Sequence, residues 1–135
     1  MIIADTAARY APCMLSVLRI VVALLFLEHG TSKLFGWPSP ASAPAPFSLI
    51  WFAGAIELFG GVLVVLGLFT RTAALIMSGE MAFAYFMGHA PSSFFPILNS
   101  GDSAILYCFV FLYLAFAGAG PWSVDALIER KSSSR

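Results

Sequence analysis

Four long apolar stretches, at residues 13–35, 47–69, 72–88 and 103–119, fill most of this 135-residue chain. A helix rising about 1.5 Å per residue needs roughly 20 apolar residues to cross some 30 Å of hydrocarbon, and each stretch comes close to that length. The runs are continuous, as at residues 62–68, rather than alternating with period two, so helices are expected and barrel strands are not. Only 10% of the residues are charged, against about a quarter in a soluble domain, and mean hydropathy is +0.90. A chain with so little polar surface is expected to live in a lipid bilayer. Arg19 and Glu28 interrupt the first stretch and no small-x-small cleavage pattern follows, so it is expected to remain as a span.

The punctuation agrees with this division. Residues 37–46 form a proline-alanine-serine linker that cannot continue a helix and favours polyproline geometry. Only Thr70 and Arg71 separate the second and third stretches, which predicts a tight antiparallel hairpin. Residues 91–102 supply the third connection, and residues 118–121 break the fourth stretch. Ser123 and Asp125 then suit the start of a short amphipathic helix over 123–131, with Asp125 near its positive end and a frayed tail at 132–135. With four spans both termini share a side with Arg9, Arg71, Arg130, Lys131 and Arg135, while the other side holds Lys33, so the termini are expected in the cytoplasm. The predicted architecture is a single all-α membrane domain over residues 1–135: four transmembrane helices in an antiparallel bundle, both termini cytoplasmic, and a short C-terminal helix.

The residues that hydrocarbon should exclude are the chemically informative ones. Arg19, Glu28, His29, Lys33, Glu57, Glu80, His89 and Asp102 lie within or at the ends of the stretches. A charge at the bilayer centre costs about 2.5–3.5 kcal/mol on insertion scales, so such residues normally face the bundle interior and find partners. Glu57 and Glu80 fall near the middle of neighbouring spans, and Arg19 is an expected ion partner for either. The same residues also fit a buried network that only fixes helix register. Glu28, His29 and Lys33 form a second group toward the outer end of the first span. His89 and Asp102 flank the third connection on that side, where they line an outward-facing polar pocket or, with Lys33, simply snorkel to the headgroups. Ala53, Glu57 and Gly61, and likewise Glu80, Ala84 and Gly88, recur every four residues, a spacing that lets helices approach closely and turns each glutamate toward another helix.

Several classes are excluded. Seven basic against seven acidic residues leave no cationic excess for a nucleic-acid partner. His29 and His89 lie at different depths, which argues against a bis-histidine haem, and no Glu-x-x-His pair exists to build a di-metal site, so no metal is expected. Cys13 and Cys108 would have to be drawn together over about 18 Å and are expected to be packing residues. The thirteen Phe and four Tyr suit either acyl-chain contact or a slot for a quinone or lipid-like ligand between helices. Other partners are open: further membrane or oxidoreductase subunits, or copies of the chain itself. Transport of a small acid or proton would require oligomers, and no inverted repeat is visible.

The ordered segments Leu18-Arg19-Ile20, Glu28-His29-Gly30-Thr31-Ser32-Lys33-Leu34-Phe35-Gly36, Ile56-Glu57-Leu58-Phe59-Gly60-Gly61, Gly67-Leu68-Phe69-Thr70-Arg71 and Gly120-Pro121-Trp122-Ser123-Val124-Asp125 resemble the DoxX family of small bacterial membrane proteins, over residues 13–128. The resemblance implies a four-helix inner-membrane protein. It also implies an association with quinol oxidase, thiosulfate:quinone oxidoreductase or thiol and oxidative-stress systems; it fixes no cofactor, and quinone is the one left open. The alternative it leaves open is a non-catalytic scaffold or accessory subunit. The family's recurring polar residues fall on Arg19, His29, Lys33, Glu57, Arg71 and Asp125. Where relatives often carry Asn-Gly-Gly-Glu, this chain reads Asn99-Ser100-Gly101-Asp102, a shortened acid.

Overall fold

A computed structural model describes residues 2–39 and 44–134, and among these every regular element is helical. In order they are α1 (Ile2–Phe35), α2 (Leu49–Leu66), α3 (Thr70–Ala84) continuing into a π-helical turn (Tyr85–His89), the one-turn α4 (Pro96–Asn99), α5 (Asp102–Ala117) and α6 (Val124–Ser133). α1 packs along α2, α2 against α3, and α3 along α5. Phe26 of α1 meets Phe111 of α5 edge-on at 4.8 Å and joins the two pairs. The core they share is small, with Ala23 and Phe26 from α1, Val64 from α2, Ala74 and Met77 from α3, and Phe111 and Leu114 from α5.

The pattern of burial is the reverse of a water-soluble protein's. Arg19 is 0% and Glu57 1% exposed, while Phe59 is 69% and Phe116 78% exposed. Apolar side chains on the outside and charges within are what a hydrocarbon solvent selects. By length and composition two helices suffice to cross a bilayer, Asp5–Phe35 and Leu49–Leu66, and Asp102–Ala117 is a shorter apolar helix.

The boundaries depart from the expected ones for local reasons. The first helix begins at Ile2, not at residue 13, because residues 2–11 are mostly helix formers and Pro12 removes only one backbone donor without ending the helix. α2 is shorter than 47–69. The Ser48 hydroxyl accepts from Trp51 N at its start, and Gly67, at φ 68°, turns the chain at its end, where Leu68 N donates to Leu63 O. Thr70 and Arg71, expected as the turn, are the first residues of α3, and residues 67–69 make the connection. The expected frayed tail is helical to Ser133. Residues 40–43 of the linker and Arg135 lie outside the described residues.

The small-residue stripes are met on one helix only. On α2 the buried face is Gly54, Glu57, Gly61 and Val64, so Gly54 replaces the expected Ala53. A β-carbon on Gly30 of α1 would stand 2.7 Å from Leu58 N, so α1 and α2 touch backbone to backbone beside Glu57. On the second stripe, Gly88 lies inside the π turn after α3 and is exposed, with open space where a β-carbon would be. The π turn that contains it widens the helix and shifts the phase that the four-residue spacing assumes.

Candidate functional site

The polar residues separate into two groups at opposite ends of the helices. At one end stand Arg19, Arg71 and Asp125, and each is used by backbone groups. The Arg19 guanidinium donates through Nε to Ala119 O at 2.8 Å, through Nη1 to Val64 O and Val65 O at 2.6 Å each, and through Nη2 to Trp122 O. Val64 and Val65 sit in the last turn of α2, whose carbonyls have no helical donor and carry the negative end of the helix dipole. Five fixed donors make arginine the side chain that fits such a cluster of carbonyls. The expected pairing of Arg19 with Glu57 or Glu80 is therefore not formed; Arg19 caps α2 and ties it to the segment after α5.

Arg71 does the same for α5, donating through Nη1 to Ala115 O at 3.0 Å and to Phe116 O. Asp125 supplies the complement. Its two carboxylate oxygens accept from Phe69 N and Thr70 N at 2.9 Å each, so it caps α3 from the neighbouring α6. Ser123, by contrast, caps its own helix by accepting from Ala126 N at 3.1 Å, as the sequence reading expected. Ser16, one turn before Arg19 and fully buried, accepts from Trp122 N at 3.2 Å. Sequence reasoning passed over it; its signal was a hydroxyl three residues from an arginine in an apolar run.

At the other end stands the candidate site. Lys33 of α1 forms an ion pair with Glu57 Oε1 of α2. The Lys33 side chain is one-third exposed and that of Glu57 is 2% exposed, so the pair runs from the surface to the interior. Glu80 of α3 lies within electrostatic reach of both Glu57 and Lys33, and His29 within reach of Glu57. The His29 ring meets Tyr107 of α5 edge-on at 5.8 Å, and Glu28 is in electrostatic range of Tyr107. Four helices thus converge on one polar centre. Three of its oxygens, Glu57 Oε2 and both of Glu80, are buried without a hydrogen-bond partner among the described residues.

Of the sequence-selected residues, Lys33 and Glu57 pair directly and Glu80 lies in electrostatic range of both; His29 and Glu28 are exposed on α1 and reach the centre only through Tyr107 and the field at Glu57, and Arg19 stands apart. Lys33, for which snorkelling was one reading, reaches inward to Glu57. His89 Nδ1 lies 2.9 Å from Asn99 O, and Asn99 is 6% exposed, donating to Ser93 O and accepting from Gly101 N at 2.8 Å each. These contacts staple the connection between the π turn and α5, so His89 holds the loop. Asp102 is exposed in the first turn of α5, where the helix dipole favours an acid. Cys108 is a packing residue whose carbonyl accepts from Ser78 Oγ at 2.8 Å, and both cysteines are free thiols.

Chemically the centre offers one ammonium, acidic oxygens that lack donors, an imidazole and a phenol. Such a set can exchange protons and hydrogen bonds with a polar group that enters between the helices.

Comparison with known proteins gives a consistent picture. The DoxX family model matches residues 14–90. The chain is 45% identical over 129 residues to an uncharacterized protein of Haemophilus influenzae, covering 91% of this chain and 96% of that one. It is 29% identical to inner membrane protein YqjF of Escherichia coli, over 85% of this chain and 92% of the relative. It is 31% identical to the "Putative oxidoreductase CatD" of Bacillus subtilis, over 62% and 72% respectively. No solved structure matches.

Proposed function

The chain belongs to the DoxX family, and from that premise we propose that it is an inner-membrane component of a quinone-linked or thiol-linked oxidoreductase system. In this reading α1, α2, α3 with its π turn, and α5 each cross the bilayer. Arg9, Arg71, Arg130 and Lys131 mark the cytoplasmic side together with both termini, and Lys33 the opposite side. The outward Phe side chains meet acyl chains, and Lys33, Glu57 and Glu80 are, among the described residues, the charges left inside without backbone partners.

The observation that carries the reading is the set of buried, unpartnered oxygens on Glu57 and Glu80. An acceptor buried without a donor costs about 1–3 kcal/mol, and natural proteins keep such groups where they work. A quinone taking up two electrons also takes up two protons. With electrons supplied by a partner oxidoreductase, Glu80 would stand to give a proton to one ring oxygen and the Lys33 ammonium to the other, while the Glu57 carboxylate holds Lys33 in place and would relay the replacement protons. The names of the relatives support a membrane setting and an oxidoreductase connection.

The test is lipid extraction and mass spectrometry of the purified protein, together with quinone reduction by membranes carrying Glu57→Gln or Glu80→Gln. Quinone is expected to co-purify, and the variants to lose reduction while remaining folded. Absence of quinone together with unchanged reduction in a deletion strain contradicts the proposal.

A second reading, a non-catalytic scaffold or accessory subunit, draws on the Lys33–Glu57 pair as a helix-to-helix tie. Under it Glu57→Gln removes the folded protein, whereas under the first reading it removes the phenotype and leaves expression and melting intact.

A further inference from the structure

At the end of the molecule opposite the polar centre, the first turn of α3, the α5–α6 link and one face of α6 surround an open groove of about 560 Å3. Its polar lining is of mixed sign and partly unused. Arg71 spends only Nη1 on carbonyls, and its Nε and Nη2 have no hydrogen-bond partner among the described residues. Thr70 lines the groove, is fully buried, and its Oγ1 has no partner. On the facing helix Glu129 is exposed, and its carboxylate makes no hydrogen bond or ion pair among the described residues. Asp125 contributes a second acid, but both its oxygens are taken by the α3 backbone. Phe69 and Ile128, both largely exposed, form an apolar lip on the same groove.

A guanidinium edge, a hydroxyl and a carboxylate beneath an apolar lip match an amphiphile whose head carries a phosphate and an ammonium. We infer that the groove holds the headgroup of a phospholipid of the phosphatidylethanolamine class. The phosphate sits on the free edge of Arg71 with Thr70 behind it, the ammonium sits on Glu129, and the acyl chains leave over Phe69 and Ile128. A charge-assisted hydrogen bond needs an N–H, which ethanolamine has and choline lacks. An anionic headgroup without an ammonium would leave Glu129 unpaired beside its own negative charge. This inference is independent of the quinone reading, because it uses other residues at the other end of the molecule.

The test is native mass spectrometry of the full chain released from nanodiscs of equimolar phosphatidylethanolamine, phosphatidylcholine and phosphatidylglycerol. One phosphatidylethanolamine is expected to stay bound, preferred by about tenfold over each of the others, as a difference near 1.4 kcal/mol requires. Glu129→Gln touches none of the backbone caps, so it should melt as the wild type does and lose the preference over phosphatidylcholine. Glu129→Lys should move the preference to phosphatidylglycerol. Equal retention of the three lipids by the wild type, a wild-type preference for phosphatidylglycerol, or a phosphatidylethanolamine preference that survives both substitutions overturns the inference.

Discussion

The two ends of this molecule spend their charges differently. At the Arg19 end every charged head that faces inward is held by backbone: Arg19 on four carbonyls, Arg71 on two, Asp125 on two amides. At the Lys33 end one ion pair is made, and three acid oxygens are left without donors. Helix termini explain the first arrangement. Each terminus carries unsatisfied groups that hydrocarbon cannot solvate, so a charge of the right sign stabilises the helix and is itself satisfied there. Glu57 and Glu80 lie within α2 and α3, away from the ends of their own helices, and the α1 terminus nearby offers them Lys33 and no backbone donor. Their oxygens need donors from side chains or from something that binds, and the contrast assigns stability to one end and chemistry to the other.

The largest effect should come from Arg19→Gln. It removes a fully buried guanidinium from four carbonyls, two of them in buried bonds, a loss of about 3–5 kcal/mol by analogy with breaking a buried charge network. Little folded protein should be recovered in detergent, and recovery at wild-type melting temperature would break the assignment of this end to stability. Arg19→Lys should fare little better, because three donors on a point charge do not replace the planar fork.

Gly30→Ala comes next. Its β-carbon would stand 2.7 Å from Leu58 N, so α1 must move away from α2 beside the Lys33–Glu57 pair, at a cost of about 1–3 kcal/mol. Thermal melts should show the loss, and the variant should also bind less of whatever occupies the polar centre. Asp125→Ala removes the cap of α3 and should lower stability by about 1 kcal/mol without changing the chemistry at the far end. A change in quinone reduction at unchanged folded yield would join the two ends functionally and blur the comparison.

Much of this was legible in the sequence, and what was not has physical reasons. The depth of Glu57 and Glu80, and the fact that neighbouring helices bring them together, follow from counting residues in apolar runs. The membrane reading follows from the same runs. The partners of Arg19 do not, because backbone carbonyls carry no sequence identity and become acceptors only where a helix happens to end. For the same reason Asp125 reads as a cap for its own helix while in space it caps α3. The first apolar stretch begins at residue 13, although α1 starts at Ile2 and runs through Pro12, because hydropathy marks the apolar part of a helix and not its end. The π turn at Tyr85–His89 has no sequence signature, and it is what takes Gly88 off the expected stripe. Tyr107 becomes part of the site only once α5 is seen to lie against His29.

The smallest expected effect is also the most direct test. Both Glu80 oxygens are buried without a donor among the described residues, so it adds nothing to the fold that a neutral side chain of the same shape would lack. The melting temperature of Glu80→Gln, measured beside the wild type in the same detergent, should be unchanged or higher by on the order of a few degrees. A clear fall would make Glu80 part of the structural network and contradict the division of this molecule into a stabilising end and a working one.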